Sequence, residues 1–217
     1  MKQRFWTNNF YAMVATISAT LLVTGAVARA DILYRWDTGV FTERFNDSEG
    51  TETEDNWCTN GFAVVDGGTR LLSIEYPSGE NFTDQPVTAV VYQGADISDP
   101  SAGGGLVLLQ STDTTITVVR GGTATIVLDT PVDLNVGDVF YAGLLIRGVT
   151  GDLFPFYNDG TIPLGHSFFD VGPAQGAPYD ITMTQNATVN GGTHPVVDSG
   201  VQSPGTTLLR VNATATP

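Results

Sequence analysis

Residues 123–147 constrain the fold more than any other stretch, because their apolar residues follow the spacing of β-strands. In the first half, Ala124, Ile126 and Leu128 alternate with polar residues, which predicts a strand with one buried face. Residues 139–146 are apolar on both faces and predict a strand in the middle of a sandwich. Proline, asparagine and glycine between the two segments indicate a turn, so we expect the pair to form a hairpin.

Similar strand-like segments recur along the chain at the spacing of about 8–12 residues that is typical of sandwiches and barrels. Two of them, 62–65 and 71–76, flank an Asp-Gly-Gly-Thr sequence that predicts a tight hairpin. Two shorter strands are expected at 106–110 and 115–119. No segment has a helical period and no motif repeats. The predicted fold class is therefore all-β, a two-sheet antiparallel β-sandwich of jelly-roll-like type.

The start of the chain has the features of a secretory signal peptide. Two basic residues precede an apolar run at 14–27, and Ala-Val-Ala at 26–28 or Ala-Arg-Ala at 28–30 provides the small residues of a cleavage site. An uncleaved membrane anchor is the alternative, but threonine and serine interrupt the run, which is short for a span of about 20 apolar residues. We therefore predict a signal peptide over 1–30 and a single β-sandwich domain over 31–217. The expected location is secreted, extracellular or at the cell surface.

The chain is strongly acidic, with 23 acidic residues, 9 basic ones and a formal net charge of -14. Such a surface repels the phosphates of nucleic acids and anionic membranes, so neither is an expected partner. The only lysine, Lys2, lies in the predicted signal peptide, which leaves no amine for Schiff-base catalysis. No later segment is long and apolar enough to span a bilayer, so we expect no membrane span in the mature chain.

Cys58 is the only cysteine, so the chain forms no intramolecular disulfide and depends on a buried core for its stability. Unpaired cysteines are usually buried and behave as small apolar residues, which is the interpretation that we favour. The alternative is an intermolecular disulfide between two copies.

An acidic stretch without basic residues occupies positions 45–57. Repulsion between its carboxylates predicts a loop. Calcium prefers oxygen ligands, mostly carboxylates and carbonyls, and this loop offers several. The candidate calcium ligands are Asp47, Glu49, Glu52, Glu54 and Asp55. The alternative is a solvated loop that contributes only to solubility. We therefore expect that the protein requires no cofactor, and calcium is the candidate ion that the sequence suggests.

Carbohydrate binding is a second candidate activity, because aromatic rings combine an apolar face with a polar edge. The candidate glycan-binding residues are Trp36, Trp57, Tyr92, Tyr157, Asn158 and Asp159, with Tyr179 as a further aromatic side chain. The alternative is that these rings belong to the core, as most aromatic residues of a β-sandwich do.

The sequence Gly-His-Ser-Phe-Phe at 165–169 has the start of the Gly-x-Ser-x-Gly nucleophile elbow of hydrolases. Its fifth position is Phe169, whereas the elbow needs a glycine that lets a helix pack closely behind it. A triad of Ser167, His194 and an aspartate is compatible with the sequence only because triads are defined by geometry rather than by spacing. We therefore predict no catalytic residues and treat a secreted hydrolase as the third of three functional classes.

Seven motifs follow one another along the predicted domain. They are NGF at 60–62, QPVTAVVYQ at 85–93, GGGLVLLQS at 103–111, PVDLNVGDVFYAGLLI at 131–146, FPFYNDGT at 154–161, GHSFFD at 165–170 and LLRVNA at 208–213. In this order they resemble the uncharacterised β-sandwich domains of exported bacterial proteins, which often carry a C-terminal sorting tail. The resemblance implies the fold and export, and it brings no catalytic residues. This chain ends in Ala-Thr-Ala-Thr-Pro without that tail, so we expect release or non-covalent retention rather than anchoring.

The function predicted from these observations is that of a secreted, non-catalytic β-sandwich protein in extracellular binding or in surface or matrix assembly. The expected partners are an extracellular glycan or copies of the chain itself. Self-assembly would use exposed strand edges or a donated terminal strand, with 32–36 and 207–211 as the candidate segments. A calcium-dependent carbohydrate-binding module is the alternative.

Overall fold

The computed structural model describes residues 31–40, 43–45, 53–150, 155–160, 166–171, 179–182, 197–198 and 206–216. Within these ranges the strands are β1 (Ile32–Tyr34), β2 (Glu43–Phe45), β3 (Thr53–Ala63), β4 (Arg70–Pro77), β5 (Phe82–Gly94), β6 (Val107–Val118), β7 (Thr123–Asp133), β8 (Val139–Thr150), β9 (Phe156–Asp159), β10 (Ser167–Val171), β11 (Val197–Asp198), β12 (Thr206–Thr207) and β13 (Arg210–Thr214). A short 3-10 turn covers Ala102–Gly104. No helix in these ranges has the length or the apolar character needed to cross a bilayer.

The strands form two main antiparallel sheets, which confirms the predicted fold class. One sheet has the order β1-β13-β4-β7, and the other has the order β11-β10-β3-β8-β5-β6; a small sheet of β12, β9 and β2 lies beside them. Counting β1, β3 to β8 and β13 as eight successive strands, the first sheet runs 1-8-3-6 and the last four strands of the second run 2-7-4-5. This is the strand order of a jelly roll.

β8 is the central strand of the larger sheet, with β3 on one side and β5 on the other. Phe140, Leu144 and Ile146 point into the core between the two sheets. Tyr141 and Leu145 point to the opposite side and join a second apolar cluster on the outer face. Burial on both faces is what the continuous apolar run predicted, so that prediction is confirmed.

The hairpin predicted from residues 123–147 is wrong. β7 pairs with β4, whereas β8 pairs with β3 and β5, so the two strands lie in opposite sheets. Pro131 belongs to β7 itself and not to the turn, which an edge strand tolerates because one side of it needs no donor. The connection is fixed instead by Val64, whose amide donates to Asp138 O and whose carbonyl accepts from Gly137 N.

The hairpin predicted between 62–65 and 71–76 is also wrong, since β3 and β4 belong to different sheets. The turn forms, but it carries the chain across the sandwich. Tyr34 of β1 fixes this corner: its hydroxyl accepts from Val65 N at 3.0 Å and donates to Gly68 O at 2.9 Å. A Cβ at Gly68 would collide with that tyrosine ring, so the corner requires glycine.

Glu54 and Asp55, expected in an acidic loop, lie in β3, so the loop prediction is wrong for them. The register of β3 against β8 shifts between Glu54 and Asn56, which makes a bulge at Asp55. The bulge directs the Asp55 carboxylate at Arg147, with Oδ2 at 3.1 Å from Nη1. The positive charge that relieves the repulsion comes from a distant strand and therefore left no local signal.

Asp37 and Arg210 join the two ends of the described domain. β13 inserts between β1 and β4, so the last strand completes the sheet that contains the first. Arg210 donates from Nη2 to Asp37 Oδ1 at 2.6 Å and from Nε to both carboxylate oxygens, and Asp37 is buried. The Asp37 carboxylate, together with Glu75, raises the pKa of the Arg210 guanidinium, which burial alone would lower.

Gly143→Ala should unfold or strongly destabilise the domain. Gly143 lies between Thr59 of β3 and Val90 of β5, and a Cβ there would overlap the Cys58 carbonyl oxygen. We expect a loss of about 3 kcal/mol or more, measured by urea denaturation. Val127→Ala on the exposed side of β7 is the control and should change stability by less than about 0.5 kcal/mol. Wild-type stability of Gly143→Ala would contradict the packing described for β8.

Candidate functional site

Trp57, Tyr92 and Tyr179 lie together on the outer face of the larger sheet and are buried. Trp57 Nε1 donates to the Tyr92 hydroxyl at 3.2 Å, and that hydroxyl donates to Ile181 O at 3.0 Å. The Tyr179 ring stacks over Trp57 with centroids 6.4 Å apart. The chain itself therefore covers these ring faces, which leaves no exposed face for a sugar.

Burial also fixes the protonation of this cluster. Desolvation raises the pKa of Tyr92 above the ordinary value for tyrosine. Desolvation and the neighbouring Asp170 carboxylate raise the pKa of Tyr179, whose hydroxyl donates to Asp170 at 2.9 Å. Both hydroxyls are therefore protonated at neutral pH, and each donates a hydrogen bond to a group of the same domain.

The remaining predicted glycan-binding residues lie elsewhere. Trp36 is half-buried, stacks on the His166 ring at 4.0 Å between centroids, and donates to Gly61 O. Tyr157 is buried and its hydroxyl accepts from Arg120 Nε at 3.0 Å. Trp36 thus packs against the core between the sheets, Trp57 and Tyr92 belong to the outer cluster, and Tyr157 lies in β9.

Asn158 and Asp159 follow Tyr157 on β9. The backbone of Asn158 pairs with Glu43 on β2 and with Thr207 on β12. Asp159 is buried, and its Oδ2 accepts from Thr38 N at 2.7 Å and from Thr38 Oγ1 at 2.6 Å. This carboxylate holds the segment after β1 against β9.

Of the five predicted calcium ligands, Asp47, Glu49 and Glu52 lie outside the described residues. Asp55 uses both carboxylate oxygens on protein donors: Oδ1 accepts from Gly148 N at 2.9 Å, and Oδ2 accepts from Arg147 and from Tyr179 N at 3.1 Å. No group of three or more metal-ligating side chains occurs in the part of the chain that the structure describes. The Asp55 carboxylate therefore has a structural role, and no calcium site is built around it by the described residues.

Ser167, the residue at the nucleophile position of the partial elbow, belongs to a buried polar network. Its Oγ donates to Asn60 Oδ1 at 2.5 Å and accepts from Thr207 N at 2.9 Å, while Asn60 Nδ2 donates to Thr207 O at 2.8 Å. This network joins β3, β10 and β12. His166 stacks on Trp36, and His194 lies outside the described residues.

Cys58 is buried beside this network, and its thiol donates to Thr207 Oγ1 at 3.4 Å. Desolvation raises the pKa of the thiol to about 12, although the bond to Thr207 acts in the opposite direction. The prediction of a buried cysteine is confirmed. A disulfide between folded copies through this thiol is sterically excluded.

β6 is a long edge strand of the described domain. It ends the larger sheet and has one hydrogen-bonded neighbour, β5, along its 12 residues. On its other side, backbone donors and acceptors of alternate residues face outward. The strand contains no proline, glycine or basic residue, and Asp113 is its only charged side chain.

The other edges in the described ranges are short or protected. β1 has 3 residues and β11 has 2 residues. β7 carries Pro131, Asp129 and Asp133, of which Asp133 pairs with Arg70 at 3.1 Å. Proline and charge are the usual devices that prevent pairing with another chain, and β6 has almost none of them.

The sequence predicted two short strands, 106–110 and 115–119, where the structure has the single strand β6. The charged Asp113 interrupts the apolar pattern. The strand accommodates it because its carboxylate accepts a hydrogen bond from Thr88 Oγ1 at 2.6 Å. The signal that was available is the run Ser-Thr-Asp-Thr-Thr-Ile-Thr, since β-branched threonine favours strands. The edge position was not visible at all, because it depends on which strands pair.

The sequence matches no protein-family model and has no significant match among curated proteins. A jelly roll is compatible with many activities, so the fold alone does not assign one. Two features distinguish this domain: the edge position of β6 and the burial of the aromatic side chains.

Asp55→Asn should destabilise the domain, because the amide places a donor against the donors of Arg147, Gly148 and Tyr179. We expect a loss of about 2–3 kcal/mol in urea denaturation with a chelator present. Asp129→Asn removes the same charge from the exposed side of β7 and should cost less than about 0.5 kcal/mol. Unchanged stability of Asp55→Asn would contradict its structural role, and a loss seen only with calcium would assign Asp55 to a metal site.

Proposed function

We propose that this protein is an exported, non-catalytic jelly-roll domain that acts outside the cell by assembly through the free edge of its larger sheet. One contrast carries the proposal. The predicted glycan-binding rings of Trp57, Tyr92 and Tyr157 are buried, whereas β6 has a hydrogen-bonded neighbour on only one side among the described strands. Strand addition at an open edge gains main-chain hydrogen bonds without requiring a pocket.

Export is part of this proposal and rests on the pattern of residues 1–30, which lie outside the described residues. An acidic, lysine-free product suits that location, because its charge keeps it soluble until specific contacts form. The same charge makes copies repel each other, so any self-assembly must depend on close contacts and should strengthen with salt.

The absence of catalysis is likewise proposed and is supported by the bonding of the candidate nucleophile. Ser167 is buried, and its hydroxyl is engaged by Asn60 and Thr207. A nucleophilic serine needs an adjacent base and access to substrate. Calcium-dependent glycan binding remains the alternative from the sequence, and no contact among the described residues favours it.

The product exported by a host that expresses the full chain should form species larger than one chain. We expect light scattering to give a mass that rises with protein concentration and with salt. Sequencing of its first residues checks export, with Asp31 as the expected start. A single-chain mass at every concentration and salt level would contradict assembly, whatever the outcome of the sequencing.

A further inference from the structure

We propose that the partner of β6 is a second copy of this chain, and that the two β6 strands pair antiparallel with Thr114 opposite Thr114. Two six-stranded sheets then become one continuous sheet. This inference rests on the proposed assembly function, to which it adds the partner and the register.

β6 is already ordered before any partner binds. Thr117 Oγ1 accepts from Asp84 N at 3.1 Å, and Thr112 Oγ1 accepts from Asp129 N at 2.9 Å. Asp113 accepts from Thr88, as described above. Side chains that are fixed in the free protein lose little further entropy on association, so an added strand gains its hydrogen bonds at low cost.

β6 lacks the proline and lysine that protect natural edge strands, and its side chains suit a contact between two identical strands. Its exposed side chains include Val107 and Leu109, and most of the others are threonine. Threonine pairs well with threonine and with apolar β-branched residues across antiparallel strands. A two-fold interface needs this kind of self-complementarity, since the same patch serves both copies.

Symmetry limits the registers that are possible. Residues directly opposite each other in an antiparallel pair point to the same face of the sheet. A two-fold axis perpendicular to the sheet preserves the two faces, so one residue must lie opposite its own copy. Asp113 is excluded from this position because two carboxylates would face each other.

Thr114 satisfies both the charge and the geometry of the edge. The register of β5 against β6 shifts twice: at Val91/Tyr92 the extra residue is Leu109 of β6, whereas at Phe82/Gln85 the extra residue lies in β5 and β6 stays regular. The regular part of β6 is therefore 110–118, whose middle residue is Thr114. Pairing about this residue uses the whole regular part and avoids the contact between two copies of Asp113.

This register also matches the two faces of the strand. Thr112 and Ile116, both buried between the sheets, come opposite each other and continue the inner surface. On the outer surface Asp113 comes opposite Thr115 of the partner copy, whose hydroxyl can donate to the carboxylate. Ser111 comes opposite Thr117. Gln110 comes opposite Val118, and the pairs within 111–117 join residues of compatible polarity.

Thr114→Cys tests the register directly. Opposite Cα atoms in an antiparallel pair are about 4.5–5.5 Å apart, which a disulfide can span. With oxidised glutathione as the oxidant, we expect a dimer band on a non-reducing gel. Thr117→Cys is the control, because Thr117 is also exposed on β6 but lies opposite Ser111, so this variant should stay monomeric on the gel. Cys58 is buried and does not compete.

Charge variants test the interface without a cross-link. Thr115→Arg should strengthen association by facing Asp113 of the partner copy, and Thr114→Asp should weaken it about tenfold in sedimentation velocity. Thr125→Asp adds the same charge to exposed β7 and should leave association unchanged. Unchanged circular dichroism and melting temperature confirm that each variant is folded.

The outcomes separate this inference from the proposed function. If the wild-type product is a single chain at all concentrations, both fail. If the wild type assembles but the β6 variants behave like it, assembly stands and another surface carries it. Cross-linking of Thr117→Cys in preference to Thr114→Cys would overturn the register, and loss of association in Thr115→Arg would do the same.

Discussion

Burial of β8 on both faces is the constraint on which the rest of this domain depends. Phe140, Leu144 and Ile146 fill the space between the sheets, while Tyr141 and Leu145 support a second apolar layer on the outside. Gly143 allows the neighbouring strand β3 to approach the backbone closely. A strand with no solvent-facing side must lie inside a sheet, so β3 and β5 are required on its two sides.

The outer layer has a direct consequence for function. Trp57 and Tyr92 cover the outer surface of β8 and its neighbours, and Tyr179 closes over them. These aromatic side chains therefore stabilise the domain itself. Burial of each large ring contributes a substantial part of the few kcal/mol by which a domain is stable. Among the described strands, the long edge with one unpaired side and few protective residues is β6.

The class of fold could be predicted from the sequence because alternation and apolar runs are local properties. Which strands pair could not. The turns before β4 and β8 contain the glycine and aspartate of hairpins, yet both cross between sheets, because Tyr34 and Val64 bind them from elsewhere in the chain. Asp55 illustrates the same limit: its place in a strand depends on Arg147, which lies on another strand.

The candidate site was harder to predict than the fold for the same reason. An aromatic residue has the same sequence signature whether its ring is exposed or covered, and Trp57 and Tyr92 are covered by a segment 87 or more residues further along, near Tyr179. An edge strand differs from a central strand only in lacking one neighbour. The place of β6 at the end of the sheet, and not its local sequence, makes it a candidate interface.

Amide hydrogen exchange of the wild-type product at low and high concentration tests most directly whether a core built around β8 assembles through β6. The β8 amides should exchange slowest at both concentrations, since they open only with global unfolding. Alternate amides of β6 should be poorly protected at low concentration and gain protection as the mass rises. Unchanged exchange along β6 while larger species form, or exchange of β8 as fast as that of an edge, would contradict this picture.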